Sequence, residues 1–306
     1  MPHKVVIIGL GRISGFTTYQ EEILFKRRVT HLGAIKGNSA FELIGAIETD
    51  PKFQVKNVKD TIRIYNNIES AKTLRPDLVV ICSPTNTHLY YLEDVLNVWP
   101  DATILVEKPV IKNIFEFQKL IRLNFKPNQI VVNFHRNVDP AIDEFNNFLK
   151  NVDKKCISGT ATVGGGLINN GSHIISLFRE LLGELDTVHL SECFRSHGDY
   201  YGTITTVYKS GSVMKISSQP EWTSVINFEM KTGNGCIKFD NDGSTVINEK
   251  ANSLENVCSF NTDDYFDILY RAVELEISGH TTKLIKLKDF INEIEKAVRR
   301  LGYHAI

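Results

Sequence analysis

Two segments of this chain carry residues whose types and spacing fit proton and charge chemistry. The first is ILVEKPV at 104–110, which sets Lys108 at the end of an apolar run. The second is GGGLINNGSHIISLFRELLGE at 164–184, where glycines and asparagines lead into Gly171-Ser172-His173 at the start of an apolar helical pattern. An imidazole, with an unperturbed pKa of about 6.5, takes a proton from an alcohol while hydride leaves the carbinol carbon. An ammonium hydrogen-bonds the same oxygen and stabilises developing alkoxide charge. His173 and Lys108 are therefore the candidate catalytic groups, expected to face one cleft. Taken singly, each also fits a plain role: a helix-start histidine satisfying backbone groups, and a solvated lysine at a strand end.

A hydride acceptor is implied by KVVIIGLGRIS at 4–14. The apolar run Val5 to Gly9 meets glycine as a central parallel strand does on turning into a helix. Gly9 allows the tight turn, and Gly11 has no side chain to block a pyrophosphate. Arg12 and Ile13 complete the loop. Ser14 stands where the fingerprint has its third glycine, with Gly15 next. A helix behind the loop would offer free N–H groups and a positive dipole to the phosphates. Glu48 closes the second predicted strand, where a carboxylate accepts from ribose hydroxyls and repels a 2′-phosphate; NAD is expected over NADP. It lies 37 residues after Gly11, against a usual gap of about 20, so extra chain sits between Gly15 and Phe41. TYQEEILFKRRVTHLGAI at 18–35 reads as a charged amphipathic helix there. By the switch-point rule DLVVICSPTNTH at 77–88 lines the crevice, with Ser83, Pro84, Thr85, Asn86 and His88 as cofactor contacts and 85–88 as N-caps. His88 fits a core contact at a helix start equally well. Glu107 is assigned to the nicotinamide ribose or to orienting Lys108.

Strands at 4–9, 42–48, 77–82 and 103–106 alternate with helical patterns such as Leu89–Val98 and Ile114–Leu123, which is the texture of a doubly wound parallel sheet. Pro127-Asn128 marks a junction, giving domains at 1–127 and 128–306. From about 156, TVHLSECF, SVMKISSQ, SVINFEMK and NGCIKFD follow one another between turn residues, an antiparallel meander. Ile226, Phe228 and Met230 alternate with Val225, Asn227 and Glu229, so one face needs cover. The helical patterns 174–182 and 266–277 are the candidates for it, and 290–301 is a last amphipathic helix. The fold class is α/β: a Rossmann domain followed by an α+β domain with an open, mostly antiparallel sheet. The open face is the expected surface of a homo-oligomer, a dimer or tetramer.

Composition sets bounds. Across 306 residues, 35 Lys and Arg face 36 Asp and Glu, which argues against nucleic acid or an anionic membrane as partner. No apolar run reaches the roughly 20 residues of a membrane span. The N-terminus shows no basic stretch leading into an apolar one, so a cytoplasmic protein is expected. The five cysteines are odd in number and none is in C-x-x-C spacing, against a disulfide framework or zinc site. Cys82 reads as an inert core thiol. No carboxylate–histidine cluster has metal-ligand spacing, and no metal is expected. SHGDYYG at 196–202, with His197, Asp199, Tyr200 and Tyr201, reads as a turn or a sugar-stacking loop.

The ordered set GLGRIS, ELIGAIE, DLVVICSPTNTH, VEKP, VNFHRNVDP and GGGLINNGSH resembles the glucose–fructose oxidoreductase / inositol dehydrogenase (Gfo/Idh/MocA) family. The E-K-P step and the G-S-H helix start are its most specific pieces. The resemblance implies NAD or NADP, a sugar, nucleotide sugar or cyclitol substrate, Lys108 as catalytic lysine and His173 as catalytic histidine. Asn169 replaces the family aspartate four residues before that histidine, and Asn169, Asn170 and Arg136 are the implied substrate contacts. Ser176 replaces a second family acid, and Asn137 one of a pair of arginines. A dehydrogenase working with lysine and histidine alone is the favoured reading. The alternatives are a non-catalytic NAD and sugar sensor, and an NAD-dependent glycosidase.

Overall fold

A computed structural model describes residues 1–16, 28–50, 62–111, 114–196, 199–220, 226–233, 235–240, 245–250 and 253–292. They form two compact units, Met1–Val138 with Asp263–Phe290, and Asp139–Thr262 with Ile291 and Asn292.

The first unit begins with β1 (His3–Ile8), α1 (His31–Gly37), β2 (Phe41–Ile47), β3 (Ile64–Tyr65), α2 (Ile68–Ala71) and β4 (Leu78–Ile81). It continues through α3 (Thr85–Val98), β5 (Thr103–Val106), α4 (Ile114–Leu120) and β6 (Ile130–Val132). These strands pair in parallel in the order β6-β5-β4-β1-β2-β3. Val5–Ile8 and Leu78–Ile81 are wholly enclosed. Parallel strands need crossovers on both faces, so their central members read as unbroken apolar runs rather than alternating ones. The winding reverses between β1 and β4, which opens a crevice at their carboxyl ends.

The second unit runs through α5 (Ala141–Leu149), β7 (Ser158–Gly164), a π turn at Leu167–Gly171, α6 (Ser172–Leu182), β8 (Leu185–Ser196), β9 (Asp199–Tyr208) and β10 (Val213–Gln219). It closes with β11 (Ile226–Thr232), β12 (Gly235–Asp240), β13 (Thr245–Lys250) and β14 (Ser253–Ser259). The sheet order is β14-β13-β12-β11-β7-β10-β9-β8, antiparallel except between β7 and β10. Ile226, Phe228 and Met230 turn to the core while Asn227 and Lys231 stay exposed. Phe228 is the centre of an aromatic cluster, 5.0 Å from Phe239, 5.4 Å from Phe178 and 6.2 Å from Phe145 between ring centroids. Outward positions such as Val213, Lys215, Leu190, Phe194 and Leu254 are exposed. The chain then returns to the first unit as α7 (Tyr265–Ile277) and β15 (Ile285–Lys286), which adds antiparallel to β6.

Several sequence expectations are corrected. The boundary lies at Val138/Asp139, not 127/128, because the apolar strand after Pro127-Asn128 completes the parallel sheet beside β5. The 266–277 helix does not cover the second sheet. Its Phe266, Leu269, Tyr270 and Val273 pack with Leu10, Phe16, Leu32 and Phe41 in the first unit's core, and α5 lies with α6 against the second sheet instead. Amphipathicity specifies that a helix must be covered, not which sheet covers it. The N-cap of α3 is Pro84, with no side-chain cap bond, so 85–88 fall inside the first turn. Of the segment 18–35, only 31–35 is seen as helix, the start of α1, and 17–27 lies outside the described residues. The last helix is seen over 287–292, and His197, Val225 and 293–306 lie outside them too.

Phe228→Ala should destabilise the second unit by about 3–5 kcal/mol, the usual cost of an emptied aromatic site. Urea unfolding followed by circular dichroism checks this, and an unmoved midpoint would show that the ring does not anchor the core.

Candidate active site

The carboxyl edge of the first sheet gathers most of the sequence-predicted cofactor residues. Gly9 follows β1 at φ +89°, and a Cβ there would stand 2.5 Å from the backbone N and Cα of Ser83 after β4. Only glycine suits both the dihedral and the crossing. Nothing lies within 4 Å of where a Cβ of Gly11 would be, so this face of the loop is open to a pyrophosphate. Arg12 is exposed beside it. The third fingerprint position is displaced: Ser14 is buried with its hydroxyl turned back to Gly11 O. Gly15 takes the close-packing role, since a Cβ there would be 2.7 Å from Thr30 Oγ1. Ile13 O and Ser14 O accept from the N–H groups of His31 and Leu32 at the start of α1. Residues 12–15 form a turn rather than the expected helix start.

Glu48 reaches this loop despite its long sequence gap. Its Oε2 accepts from Leu10 N–H at 3.0 Å and its Oε1 from Asp50 N–H at 3.0 Å. Each oxygen keeps a lone pair, so the carboxylate can still accept from ribose hydroxyls. Thr87 Oγ1 lies 2.7 Å from both Ser83 Oγ and Pro84 O, while Thr85 and Asn86 open α3. The residues present thus fit a dinucleotide: an open glycine face, an acid at the end of β2, and backbone held clear by Gly9.

His88 is placed differently from the crevice contact expected. It is 1% exposed, with Nε2 2.8 Å from Ser83 O and Nδ1 3.0 Å from Pro109 O. Burial lowers its pKa against the pull of those carbonyls and of Glu107 and Glu116. It ties the end of β4 to the peptide after Lys108. Glu107 likewise turns inward, accepting from His31 Nε2 at 3.0 Å and from the Asn133 amide. Burial pushes the Glu107 carboxyl up, but the His31 bond and charge, the Asn133 bond and the Lys108 charge outweigh it and hold the pKa below the usual glutamate value. Lys108 is half-buried just beyond, and its peptide to Pro109 is cis. Arg136 lies in the 3₁₀ turn His135–Val138. His135, whose ring centroid is 4.5 Å from that of Tyr265, is held well below its ordinary pKa, first by burial and then by the charges of Arg136 and Lys108. Cys82 is enclosed as expected, its thiol directed at Gly9 O, 3.2 Å away.

In the second unit the π turn Leu167–Gly171 runs straight into α6, with Gly171 already helical. Asp199, first residue of β9, holds this turn. Its Oδ1 accepts from Ile168 N–H at 2.8 Å and its Oδ2 from Asn169 N–H at 3.0 Å. Asn170 Nδ2 donates to Gly164 O at 2.6 Å, and Ser172 Oγ to Asn169 O at 2.7 Å. His173 and Ser176 are both 7% exposed on α6. Of the segment 196–202, Asp199–Gly202 open β9, Tyr201 is 1% exposed and Tyr200 half-buried, and Asp199 serves the turn. Lys108 and Arg136 belong to the first unit, and His173, Asn169 and Asn170 to the second. His31, Asn133, His135, Tyr265 and Tyr270 were missed; only the motif position of 133 and 135 in VNFHRNVDP signalled them. Among the described residues no group of three His, Cys, Asp or Glu is placed to hold a metal ion. No helix there is long and apolar enough to cross a membrane.

The parallel sheet, its glycine loop and the strand-end acid define a dinucleotide-binding Rossmann domain. Residues 3–135 match the oxidoreductase family GFO_IDH_MocA, an NAD-binding Rossmann fold. No curated protein matches the sequence. Among solved structures it is similar to the dehydrogenase MviM of Clostridium difficile, with 20% identity, TM-score 0.71 and coverage of 98% of this chain and 99% of that one. It is also similar to a myo-inositol dehydrogenase from Corynebacterium glutamicum, with 16% identity, TM-score 0.70 and 98% and 96% coverage. A third is the WlbA dehydrogenase from Bordetella pertussis, in complex with NADH and UDP-GlcNAcA, with 14% identity, TM-score 0.72 and 100% and 98% coverage. At these identities the likeness is one of fold.

Asp199→Ala should leave two backbone N–H groups without their charged acceptor, at a cost of about 1–3 kcal/mol. Hydrogen exchange at Ile168 and Asn169 should then speed up well ahead of exchange in β11, and unchanged protection would show that the carboxylate does not hold the turn.

Proposed function

We propose that this protein is an NAD-dependent dehydrogenase or reductase acting on a hydroxyl of a sugar, nucleotide sugar or cyclitol. The observation that carries the reading is the retention of Lys108, in the E-K-P step at the end of β5, on a sheet whose neighbouring edge fits a dinucleotide. NAD, when bound, supplies the hydride acceptor. The loop Gly9–Ile13 would hold its pyrophosphate, Glu48 its adenosine ribose, and Ser83, Pro84, Thr85 and Asn86 the crevice wall. In this reading the Lys108 ammonium donates to the reacting oxygen, and the His173 imidazole takes that oxygen's proton. Arg136, Asn169 and Asn170 bind sugar hydroxyls. The inositol dehydrogenase and WlbA likenesses support the substrate class, and the MviM likeness the dehydrogenase reading. The free thiols of Cys82, Cys193, Cys236 and Cys258 are consistent with a cytoplasmic setting. The exposed outward face of the second sheet is the surface proposed for a dimer or tetramer.

Asn169 and Ser176, where the family carries acids, favour a second reading, a sensor that binds NAD and sugar without turnover. The two are separated by following NADH formation with NAD and a panel of aldoses, inositols and nucleotide sugars. The dehydrogenase should accumulate NADH with at least one of them, and a sensor shows ligand-induced thermal shifts with none.

Lys108→Ala should abolish turnover while leaving NAD affinity nearly intact. His173→Ala should lower the rate by about a hundredfold or more. Full activity in both variants would sink the assignment. NAD should bind more tightly than NADP, and Glu48→Ala should narrow the difference, since it removes the repulsion of a 2′-phosphate. Calorimetric titration of both cofactors decides this, and tighter NADP binding by the unaltered chain would overturn the role of Glu48.

A further inference from the structure

His88 lies enclosed in the first turn of α3, and both of its ring nitrogens meet backbone carbonyls. Nε2 stands 2.8 Å from Ser83 O, just after β4. Nδ1 stands 3.0 Å from Pro109 O, which follows the end of β5. A carbonyl oxygen accepts and never donates, so each contact is a hydrogen bond only if the nitrogen carries hydrogen. A neutral imidazole has one N–H, and the imidazolium has two. The neutral ring therefore serves one carbonyl and turns a lone pair toward the other. Only the charged ring closes both contacts.

The two carbonyls belong to separate segments of the first unit. Ser83 sits at the backbone crossing with Gly9 and opens the stretch Ser83–Asn86. Pro109 closes the E-K-P step. The charged groups that act on the ring are Glu107, at the end of β5, and Glu116, on α4. Both favour its second proton, as do the two carbonyls, but burial is the largest cause and holds the pKa below the ordinary value of about 6.5. The ring is thus neutral at pH 7 and takes its second proton on acidification. A plain core contact would hold the same single carbonyl at every pH. We propose that His88 is a proton-operated clasp: as the imidazolium it ties the Ser83 carbonyl to the Pro109 carbonyl, and as the imidazole it releases one of them. Its bearing on the cofactor rests on the reading of Ser83–Asn86 as the crevice wall. A wall tied to a neighbouring segment has less freedom left to lose when NAD binds, so NAD favours the closed clasp, and by reciprocity the proton favours NAD.

The clasp is tested by NMR on the full-length chain labelled with 15N and 13C, titrated between about pH 5 and 8, where an imidazole changes charge. Two-bond 1H–15N correlations read the protonation of each ring nitrogen. Through-bond correlations assign the His88 ring in the unaltered chain, so the readout needs no variant that folds. Both His88 nitrogens should carry hydrogen at the acid end and one at the other. The carbonyl 13C signal of either Ser83 or Pro109 should move with the same midpoint, and further than its counterpart, as that hydrogen bond is lost. A ring with one protonated nitrogen throughout, a ring with two throughout, or a titration that leaves both carbonyl signals unmoved would overturn the proposal. His88→Gln, which cannot titrate, should hold both carbonyl signals constant, and movement that persists there overturns it as well. With NAD at saturation the midpoint should rise by about half a unit or more, about a threefold gain in proton affinity. A midpoint unmoved by bound NAD would overturn the coupling to the cofactor. Failure of NAD to bind, read by calorimetry, would instead overturn the cofactor reading, and the spectra without NAD still decide the clasp.

Discussion

The backbone crossing of Gly9 over Ser83 is the constraint to which the first unit's site is referred. Two loops leave adjacent parallel strands at the point where the winding reverses, and they pass so closely that a single methyl group would strike the Ser83 backbone 2.5 Å away. Close-packed interiors do not yield to such a clash without displacing their neighbours. The rest of the edge is built outward from this point by short polar contacts. Cys82 points at Gly9 O, Glu48 takes Leu10 N–H, and His88 spans from Ser83 O to Pro109 O. A continuous set of contacts thus runs from the glycine loop to the peptide that follows Lys108.

Charge at this edge is arranged in opposed pairs. Lys108 and Arg136 bring positive charge to the ends of β5 and β6, and the half-buried His135 is held well below its ordinary pKa by its desolvation and then by their charges. The compensating negative charge is Glu107, which lies inside and is held ionised by donors on two sides. Burying such a carboxylate is tolerable only because each donor aimed at it is itself fixed. In the proposed reading, a cation facing substrate with an anion withdrawn behind it would stabilise negative charge on a reacting oxygen.

The second unit meets a different need by the same means. The chain lacks an acid at 169, yet a carboxylate still arrives at that turn, carried by Asp199 from the start of β9. It accepts from backbone N–H groups at the head of a helical run, where such groups have no partner within the helix. The substitution at 169 therefore changes the side chain of the turn without leaving its backbone unsupported.

Much of the architecture was readable from residue order alone. Val5–Ile8 and Leu78–Ile81 announce central parallel strands because only strands covered on both faces are apolar without alternation. Ile226, Phe228 and Met230 announce a half-covered one by their period of two. Gly9, Gly11, Glu48 and Lys108 could be singled out because their types are dictated by local backbone or by chemistry. Tertiary structure alone decided which sheet the 266–277 helix covers, that the 130–132 strand closes the first sheet, that His88 and Glu107 turn inward, and that His31 and Asp199 have work at all. These depend on contacts between residues far apart in the chain, His31 with Tyr270 and Asn169 with Asp199 among them. Local pattern specifies that a face or a polar group needs a partner, and only the packed fold determines which partner it receives.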